Sequence, residues 1–447
     1  MIRKVLVANR GEIALRVVRS CRELGLRSVA VYSEADRASL HARFADEAVC
    51  IGPAQAGRSY LHVPAILAAA EITEADAIHP GYGFLAENAA FAAAVEGAGL
   101  VFVGPTPEHL RLFGDKARAK EAAAAAGLPL LPGSAGTVAD LAAAEAAAEA
   151  VGYPIVLKAA AGGGGKGMRI VEHARELPRA FRLCTAEADK AFGNGALLVE
   201  RFVRTPRHVE VQVAADGRDA VALGTRDCTL QRRHQKLVEE APAPQLPLAL
   251  EATLLEGSAR LCRSVGYRSL ATVEFLVDGD EAFFLEVNPR IQVEHPVTEV
   301  TLGMDLVALQ LALADGEPLP LTAPPPVRGH AIEIRINAED PWTFAPSPGR
   351  IEGLHLPGGP GIRVDAAVHE HAVVPPYYDS LVAKIIAHGA DRPTAIARAK
   401  RALDELVVEG IRTTAPVQRA LLDTDAFRDV TMHTRYVDEW LTRRADG

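Results

Sequence analysis

Glu286, Asn288, Arg290, Gln292 and Glu294 occupy alternate positions of one run, with Val287, Ile291 and Val293 between them. Side chains on an extended strand point to alternate faces. The run therefore predicts a strand with acids, amides and a guanidinium on one face and an apolar underside. Pro289 removes a ladder donor, so pairing must break or meet an edge there. A preceding strand over residues 272–277 carries Glu274, across a turn at 278–281. A three-residue loop in that hairpin would set Glu274 opposite Glu286. Glu274, Glu286 and Asn288 would then be hard oxygen ligands, suited to Mg²⁺ (or Mn²⁺) bridging nucleotide phosphates. A solvated edge strand is the bland alternative, and it does not account for this mixture of side chains.

The elements that must position this face alternate in type. Residues 1–113 read as strand, helix, strand in repetition, which implies a parallel sheet with helices on both faces. The first turn, Asn9-Arg10-Gly11-Glu12, lacks the G-x-G-x-x-G of a dinucleotide site. The loop 79–88, with Tyr82, follows a strand's C-terminal end, where such sheets bind ligands. Asp115-Lys116 opens a helix. Strands are expected at 154–158 and 168–171, and again at 196–200 ending on Glu200. A hairpin over 208–223 places His208, Glu210 and Gln212 on one face. The prolines 318, 320 and 324–326 mark a crossing between domains. A helix is expected from Asp391 as N-cap to a stop at Gly410.

Gly162–Gly165, Lys166 and Gly167 invite a phosphate-loop reading. That reading fails: no Ser or Thr follows Lys166, and the context is strand–loop–strand rather than strand–loop–helix. Such a glycine flap instead suits a lid whose backbone N–H groups close over phosphates. Of 48 basic residues only nine are Lys, and Lys116, Lys158, Lys166 and Lys236 are among them. A lysine offers a compact point charge where arginine offers a planar fork. The segment 226–236 packs Arg226, Arg232, Arg233, His234 and Lys236 together. By itself it is either a local anion site or a solvated turn.

Composition bounds the class. The chain has 447 residues, 49% hydrophobic and 23% charged, with a net charge of −9. An acidic chain argues against nucleic acid as partner. Five scattered cysteines without metal spacing fit a reduced cytosol, and a cytoplasmic location is expected. No apolar run approaches the ~20 residues of a membrane span, and no signal peptide is expected.

Taken in order, the motifs resemble the biotin carboxylases, the ATP-grasp component of biotin-dependent carboxylases. The resemblance rests on VANRGEIA at 7–14, HPGYGFLAEN at 79–88, GDK at 114–116, GGGGKGM at 162–168 and RHVEVQ at 207–212. It continues with RDCTLQRRHQK at 226–236, EVNPRIQVEH at 286–295, RINAEDP at 335–341 and PPYYDS at 375–380. Thr225 departs from the acid that many relatives carry before RDC.

The resemblance implies an α/β (mixed α+β) architecture. An N-terminal Rossmann-like parallel-sheet domain would occupy 1–113. An ATP-grasp domain would occupy 114–325, with a mobile glycine-rich lid at about 130–203, and a C-terminal α+β domain 326–447. It also implies ATP- and bicarbonate-dependent carboxylation, through carboxyphosphate, of biotin on a carrier protein. This would be the first half-reaction of an acyl-CoA carboxylase, with acetyl-CoA the expected acceptor.

By analogy Glu294 is the base for bicarbonate, Arg290 forks onto it, and Lys236 and Arg335 complete the catalytic set. Lys116, Lys158, Gly163, Gly164, Gly165, Lys166, Gly167, Glu200, His208, Gln231 and His234 would hold the nucleotide. Tyr82, Gln292 and Val293 would border the biotin and bicarbonate pockets. The carrier and a separate carboxyltransferase are expected on other chains, since no biotinylation motif is present, and a homodimer is a family expectation. The alternatives are another ATP-grasp ligase of the carbamoyl-phosphate-synthetase kind and a non-catalytic nucleotide-binding subunit.

Overall fold

The computed structural model describes residues 1–160 and 167–445. Gly163, Gly164, Gly165 and Lys166 of the expected lid lie outside the described residues. The first sheet has five parallel strands: β1 (Lys4–Val7), β2 (Arg27–Tyr32), β3 (Glu47–Cys50), β4 (Ala77–His79) and β5 (Val101–Phe102). Their order, β3-β2-β1-β4-β5, turns outward from β1 in both directions. The chain reverses winding between β1 and β4, and the loops leaving those two strands flank a natural ligand crevice. The helix Gly11–Glu23 leaves β1 with an apolar face buried against the sheet.

A three-stranded antiparallel sheet follows, β6 (Ile155–Ala159), β7 (Met168–Val171) and β8 (Leu197–Arg201), with β6 in the middle. Two helices, Leu141–Val151 and Leu177–Phe192, cover one face of it.

The largest sheet comprises β9 (Arg207–Asp216), β10 (Ala220–Arg232), β11 (Gln235–Ala241), β12 (Arg268–Asp278) and β13 (Glu281–Asn288), and later β14 (His330–Asn337). Two two-residue strands, β15 (Gly349–Arg350) and β18 (Val373–Val374), pair with each other. β16 (Gly353–His355) pairs with β20 (Val407–Glu409), while β17 (Ile362–Ala366) and β19 (Leu381–Gly389) join the large sheet. Its order is β13-β12-β9-β10-β11-β14-β19-β17. Strands from both sides of the proline cluster at 318–326 thus hydrogen-bond into one eight-stranded sheet. The helix Arg392–Glu405 packs on its β14 and β19 end.

Two expectations are corrected. The strand predicted over 286–294 ends at Asn288. Pro289 offers no ladder donor, the Arg290 amide turns back to the Asn288 carbonyl at 2.9 Å, and a turn leads into the helix His295–Leu302. The helix expected to run to Gly410 stops at Glu405, because β20 pairs with β16 instead. Its predicted N-cap holds, with the Asp391 side chain accepting from the Thr394 amide. No single helix among the described residues is long and apolar enough to cross a membrane. One pair, His295–Leu302 and Leu306–Ala314, meets the test only jointly and is bent by 99°.

Candidate functional site

A cleft of about 970 Å³ lies where the three sheets face one another. Of the residues singled out from sequence, Tyr82, Lys116, Lys158, Glu200, His208, Gln231, His234, Lys236, Glu274, Glu286, Asn288, Arg290, Gln292, Val293 and Arg335 line it. Glu294 stands behind this wall with no exposed surface. Gly167 is buried with φ +69°, and its carbonyl accepts from the Ala159 amide at the root of the flap.

Two β-bulges aim the central groups. Asp278 pairs with Glu281, so the β12–β13 loop has two residues rather than the expected three. The register then slips by one at Leu285, and Glu274 meets Glu286 after all. On β11, Gln231 pairs with Lys236 and Leu230 with Val238, leaving Leu237 as the extra residue. Leu237 and Val238 both enter the core beneath, and Lys236 and Glu239 both reach the site. Arg233 and His234 make the tight β10–β11 turn with left-handed φ of 49° and 67°. The basic segment 226–236 is thus a hairpin. Its first residue, Arg226, is wholly buried and its tip faces the cleft.

Lys236 is the hub. Its Nζ donates to Glu210 Oε2 at 2.7 Å, Glu274 Oε1 at 3.0 Å and Glu294 Oε1 at 2.7 Å. Burial opposes its charge, but the surrounding carboxylates outweigh burial and hold its pKa well above the ordinary value. Burial likewise works against ionisation of Glu294. Lys236, Arg335 and Arg226 overcome it and hold that carboxyl well below the usual range. Arg335 Nη2 donates to Glu294 Oε2 at 2.9 Å, and its Nε to Glu239 Oε1 at 2.5 Å. Glu210 is claimed a second time by Arg226 Nε at 2.5 Å.

Glu274 Oε1 also accepts from Asn288 Nδ2 at 2.9 Å and Gln292 Nε2 at 3.1 Å, while Oε2 lies 3.2 Å from His208 Nε2. Arg290 is fixed by Glu87 Oε1 at 2.5 Å, Gln292 Oε1 at 2.6 Å and Asn288 Oδ1 at 2.9 Å. The turn 289–294 therefore does what the predicted strand was expected to do, by curling Gln292 back toward β12 and Arg290 onto Asn288 at the end of β13.

Glu274 and Glu286 suit a divalent cation. They are directly opposed, and burial together with the Glu274 charge raises the Glu286 pKa. Two like charges held face to face are relieved by a cation between them. His208, Glu210 and Glu274 also bring ligand atoms within 4.8 Å of one another. Glu210 is already neutralised by Arg226 and Lys236, so Glu274, Glu286 and Asn288 remain the better hard-ion set.

Sequence reasoning missed several groups. Lys120, one helical turn beyond Lys116, contacts Glu200 from one side while Lys158 contacts it from the other. Burial and mutual repulsion with neighbouring lysines push Lys158 down to about 7 and Lys120 down to about 8. The Glu286 carboxylate works the other way on Lys158. Lys384, wholly buried, donates to the Val293 carbonyl at 2.7 Å and lies 3.2 Å from Glu12 Oε1. Glu12 in turn accepts from the Tyr82 hydroxyl. The i, i+4 spacing of Lys116 and Lys120 was a readable signal. Lys384 gave none, and Glu239 was legible only as a neighbouring charge that partly neutralises the basic segment 226–236.

Known proteins share this architecture. A family model for the biotin carboxylase N-terminal domain matches residues 1–110, and one for the biotin carboxylase C-terminal domain matches 333–439. The carbamoyl-phosphate synthase L chain ATP-binding domain matches 115–322. The chain is 52% identical to a biotin carboxylase of Pseudomonas aeruginosa, over 99% of each chain. It is 50% identical to the biotin-dependent acyl-coenzyme A carboxylase alpha3 subunit of Mycobacterium leprae, over 98% of this chain and 75% of that one. A crystal structure of the biotin carboxylase domain dimer of Hydrogenobacter thermophilus 2-oxoglutarate carboxylase superposes with a TM-score of 0.93. It is 45% identical, with 98% of each chain covered, and holds MgADP, ADP and bicarbonate.

Proposed function

The chain belongs to the biotin carboxylase family of ATP-dependent ligases, and we propose that it carboxylates biotin on a carrier protein at the expense of ATP and bicarbonate. The observation that carries this reading is the convergence of Lys236, Glu294 and Arg335 beside the opposed Glu274–Glu286 pair.

In this reading bicarbonate lies between Arg290, Gln292, the Val293 backbone and Lys236. Glu294 is ionised at neutral pH and takes the bicarbonate proton as its oxygen attacks the terminal phosphorus of ATP. Arg335 and Lys236 hold the developing charge of carboxyphosphate. Carboxyphosphate gives CO₂ and phosphate, the phosphate takes the ureido proton, and the biotin anion captures CO₂. Arg335 steadies that anion, with Tyr82 and Gln292 at the pocket's border. Lys116, Lys158, His208, Gln231 and His234 hold the nucleotide, Glu200 marks the adenine hinge, and Gly163, Gly164, Gly165, Lys166 and Gly167 belong to the nucleotide-binding set. Mg²⁺ (or Mn²⁺) on Glu274, Glu286 and Asn288 would offset phosphate charge.

The finer assignments belong to the same proposal. Residues 1–113, 114–325 and 326–447 act as three domains around the cleft. The chain works as a cytoplasmic homodimer with a carrier and a separate carboxyltransferase, in an acyl-CoA carboxylase with acetyl-CoA as acceptor. Support for an acyl-CoA comes from the M. leprae relative, and the 2-oxoglutarate carboxylase makes an oxo-acid the rival to test. ADP release by the purified chain, with and without bicarbonate and free biotin, tests the core of the reading. Bicarbonate-dependent cleavage stimulated by biotin is expected, and ATP cleavage indifferent to both would overturn it. Copurification of a biotinylated chain with a carboxyltransferase, followed by assay on acetyl-CoA and oxo-acids, tests the acceptor.

A further inference from the structure

Glu294 is a good place for a proton to arrive and a poor one for it to stay. It has no exposed surface and is held ionised by Lys236, Arg335 and Arg226. Immediately beyond it lies a second carboxyl that the reaction scheme leaves unused. Arg335 Nε donates to Glu239 Oε1 at 2.5 Å and Nη2 to Glu294 Oε2 at 2.9 Å. These two donors share one edge of the guanidinium and aim in parallel, so the accepting oxygens lie side by side. Glu239 Oε2 has no hydrogen-bond partner, and neither does either oxygen of Glu333. Glu239 and Glu333 are direct partners across β11 and β14, and both are wholly buried. A buried carboxyl pair with three unpartnered oxygens is rare in a native fold and calls for a proton.

We propose that Glu239, backed by Glu333, receives from Glu294 the proton that Glu294 takes from bicarbonate. This rests on the biotin carboxylase reading above. The bicarbonate O–H bond breaks as its oxygen bonds to phosphorus and the terminal phosphoryl leaves ADP. The proton moves to Glu294, then to Glu239, and leaves to solvent with the products. Nothing is oxidised or reduced, and Glu294 is restored as a carboxylate before the cycle ends.

The charges facing Glu239 set the direction of transfer. Arg335 and Glu333 face it from β14, Glu294 from the turn before the helix His295–Leu302, Cys228 from β10, and Lys236 from its own strand. Lys384 on β19 stands next to Glu333. Burial is the largest influence on Glu239 and, with the Glu294 charge, raises it to about 7 against the pull of Arg335 and Lys236. Burial, against the pull of Lys384, raises the Glu333 pKa well above its ordinary value. A proton on Glu294 therefore runs downhill to Glu239.

Glu239→Gln keeps an acceptor for Arg335 Nε and removes the proton site. Steady-state ADP release across pH 5.5–8.5 tests it, with ATP affinity and thermal midpoint as controls for folding. Wild-type kcat should rise with pH through about 7. Glu239→Gln should lose this limb and fall about 10- to 100-fold, with KM for ATP within about twofold. Glu239→Asp should restore a titrating limb at a reduced rate. A Gln variant with the wild-type rate and limb would overturn the proposal. Equal losses in Gln and Asp variants with unchanged profiles would assign Glu239 a purely structural part and also overturn it. A wild-type protein without bicarbonate-dependent cleavage would instead overturn the function itself.

Discussion

At the scale of single residues the site is a set of buried charges that stay ionised only because each has a partner. Arg226 is the clearest case. It has no exposed surface and donates to Glu210, Gln212, Thr298 and Thr272 at 2.5, 2.7, 3.0 and 3.0 Å. Removing it leaves Glu210 with Lys236 as its one remaining cation, shared with Glu294, which is why Arg226→Met should lose about 3–5 kcal/mol in urea melts. A loss under ~1 kcal/mol would mean the network relaxes at little cost. Glu294→Gln is different in kind. The amide keeps the shape and removes the base, so bicarbonate-dependent ADP release should drop about 10²- to 10⁴-fold. Calorimetric ATP affinity should stay close to wild type, and near-normal turnover would exclude Glu294 as the base.

Elements turn sequence spacing into those contacts, and here the legible and the illegible separate. The Glu274–Glu286 pairing was readable because residues directly opposite each other in a hairpin share a face, and a one-residue offset would have put the two carboxylates on opposite faces. The route to it was not readable. A three-residue loop, and a two-residue loop followed by a bulge at Leu285, give the same pairing beyond the bulge. The polar alternation of 286–294 survived in the sequence although the chain leaves the sheet at Pro289, because a turn can present the same side chains as a strand. The site roles of Lys384 and Glu239 were invisible for another reason. Lys384 is a lone charge in an otherwise apolar strand, Glu239 is one of several charges on β11, and their partners lie 91 and 96 residues away. The parallel N-terminal sheet and the cation-and-acid face were readable from local motifs alone.

Lys384 gives the element-scale prediction, since it ties β19 to the Val293 carbonyl in the turn that the proposed function assigns to bicarbonate. Lys384→Met should raise KM for bicarbonate more than KM for ATP, by about tenfold if roughly 1.4 kcal/mol of positioning is lost. Equal changes in both constants would show a general loosening instead.

The whole molecule stores buried histidines and buried carboxyls that respond to pH in opposite senses. Burial pushes His41 down to about 4 and His79 to about 3, and holds His295 well below its ordinary value. A depressed histidine contributes fully above its unfolded value, near 6.5, and loses that contribution as pH falls. Glu239, raised by burial to about 7, does the reverse: its contribution is complete below about 4.5 and is lost as pH rises. Burial raises Glu12, Glu210 and Glu333 in the same sense, so between these limits the two sets offset each other, each titrating group giving about 1.4 kcal/mol per pH unit. Below about 4.5 the raised carboxyls have nothing further to gain. The histidines continue to lose, and Glu274 and Glu294, both depressed, join them. Stability should therefore be nearly flat from pH 6.5 to 4.5 and fall steeply beneath it.

Two variants resolve the opposing slopes. His79 Nδ1 accepts from the Gly81 amide at 3.0 Å, and His79→Asn retains an acceptor there. Relative to wild type it should gain about 1.4 kcal/mol per unit as pH falls from 6.5 to 4.5. Glu239→Gln should lose by a similar slope over the same interval. Urea midpoints measured at three pH values compare them directly. Parallel slopes for the two variants would show that these buried groups do not titrate with folding, and that acid sensitivity comes from the surface.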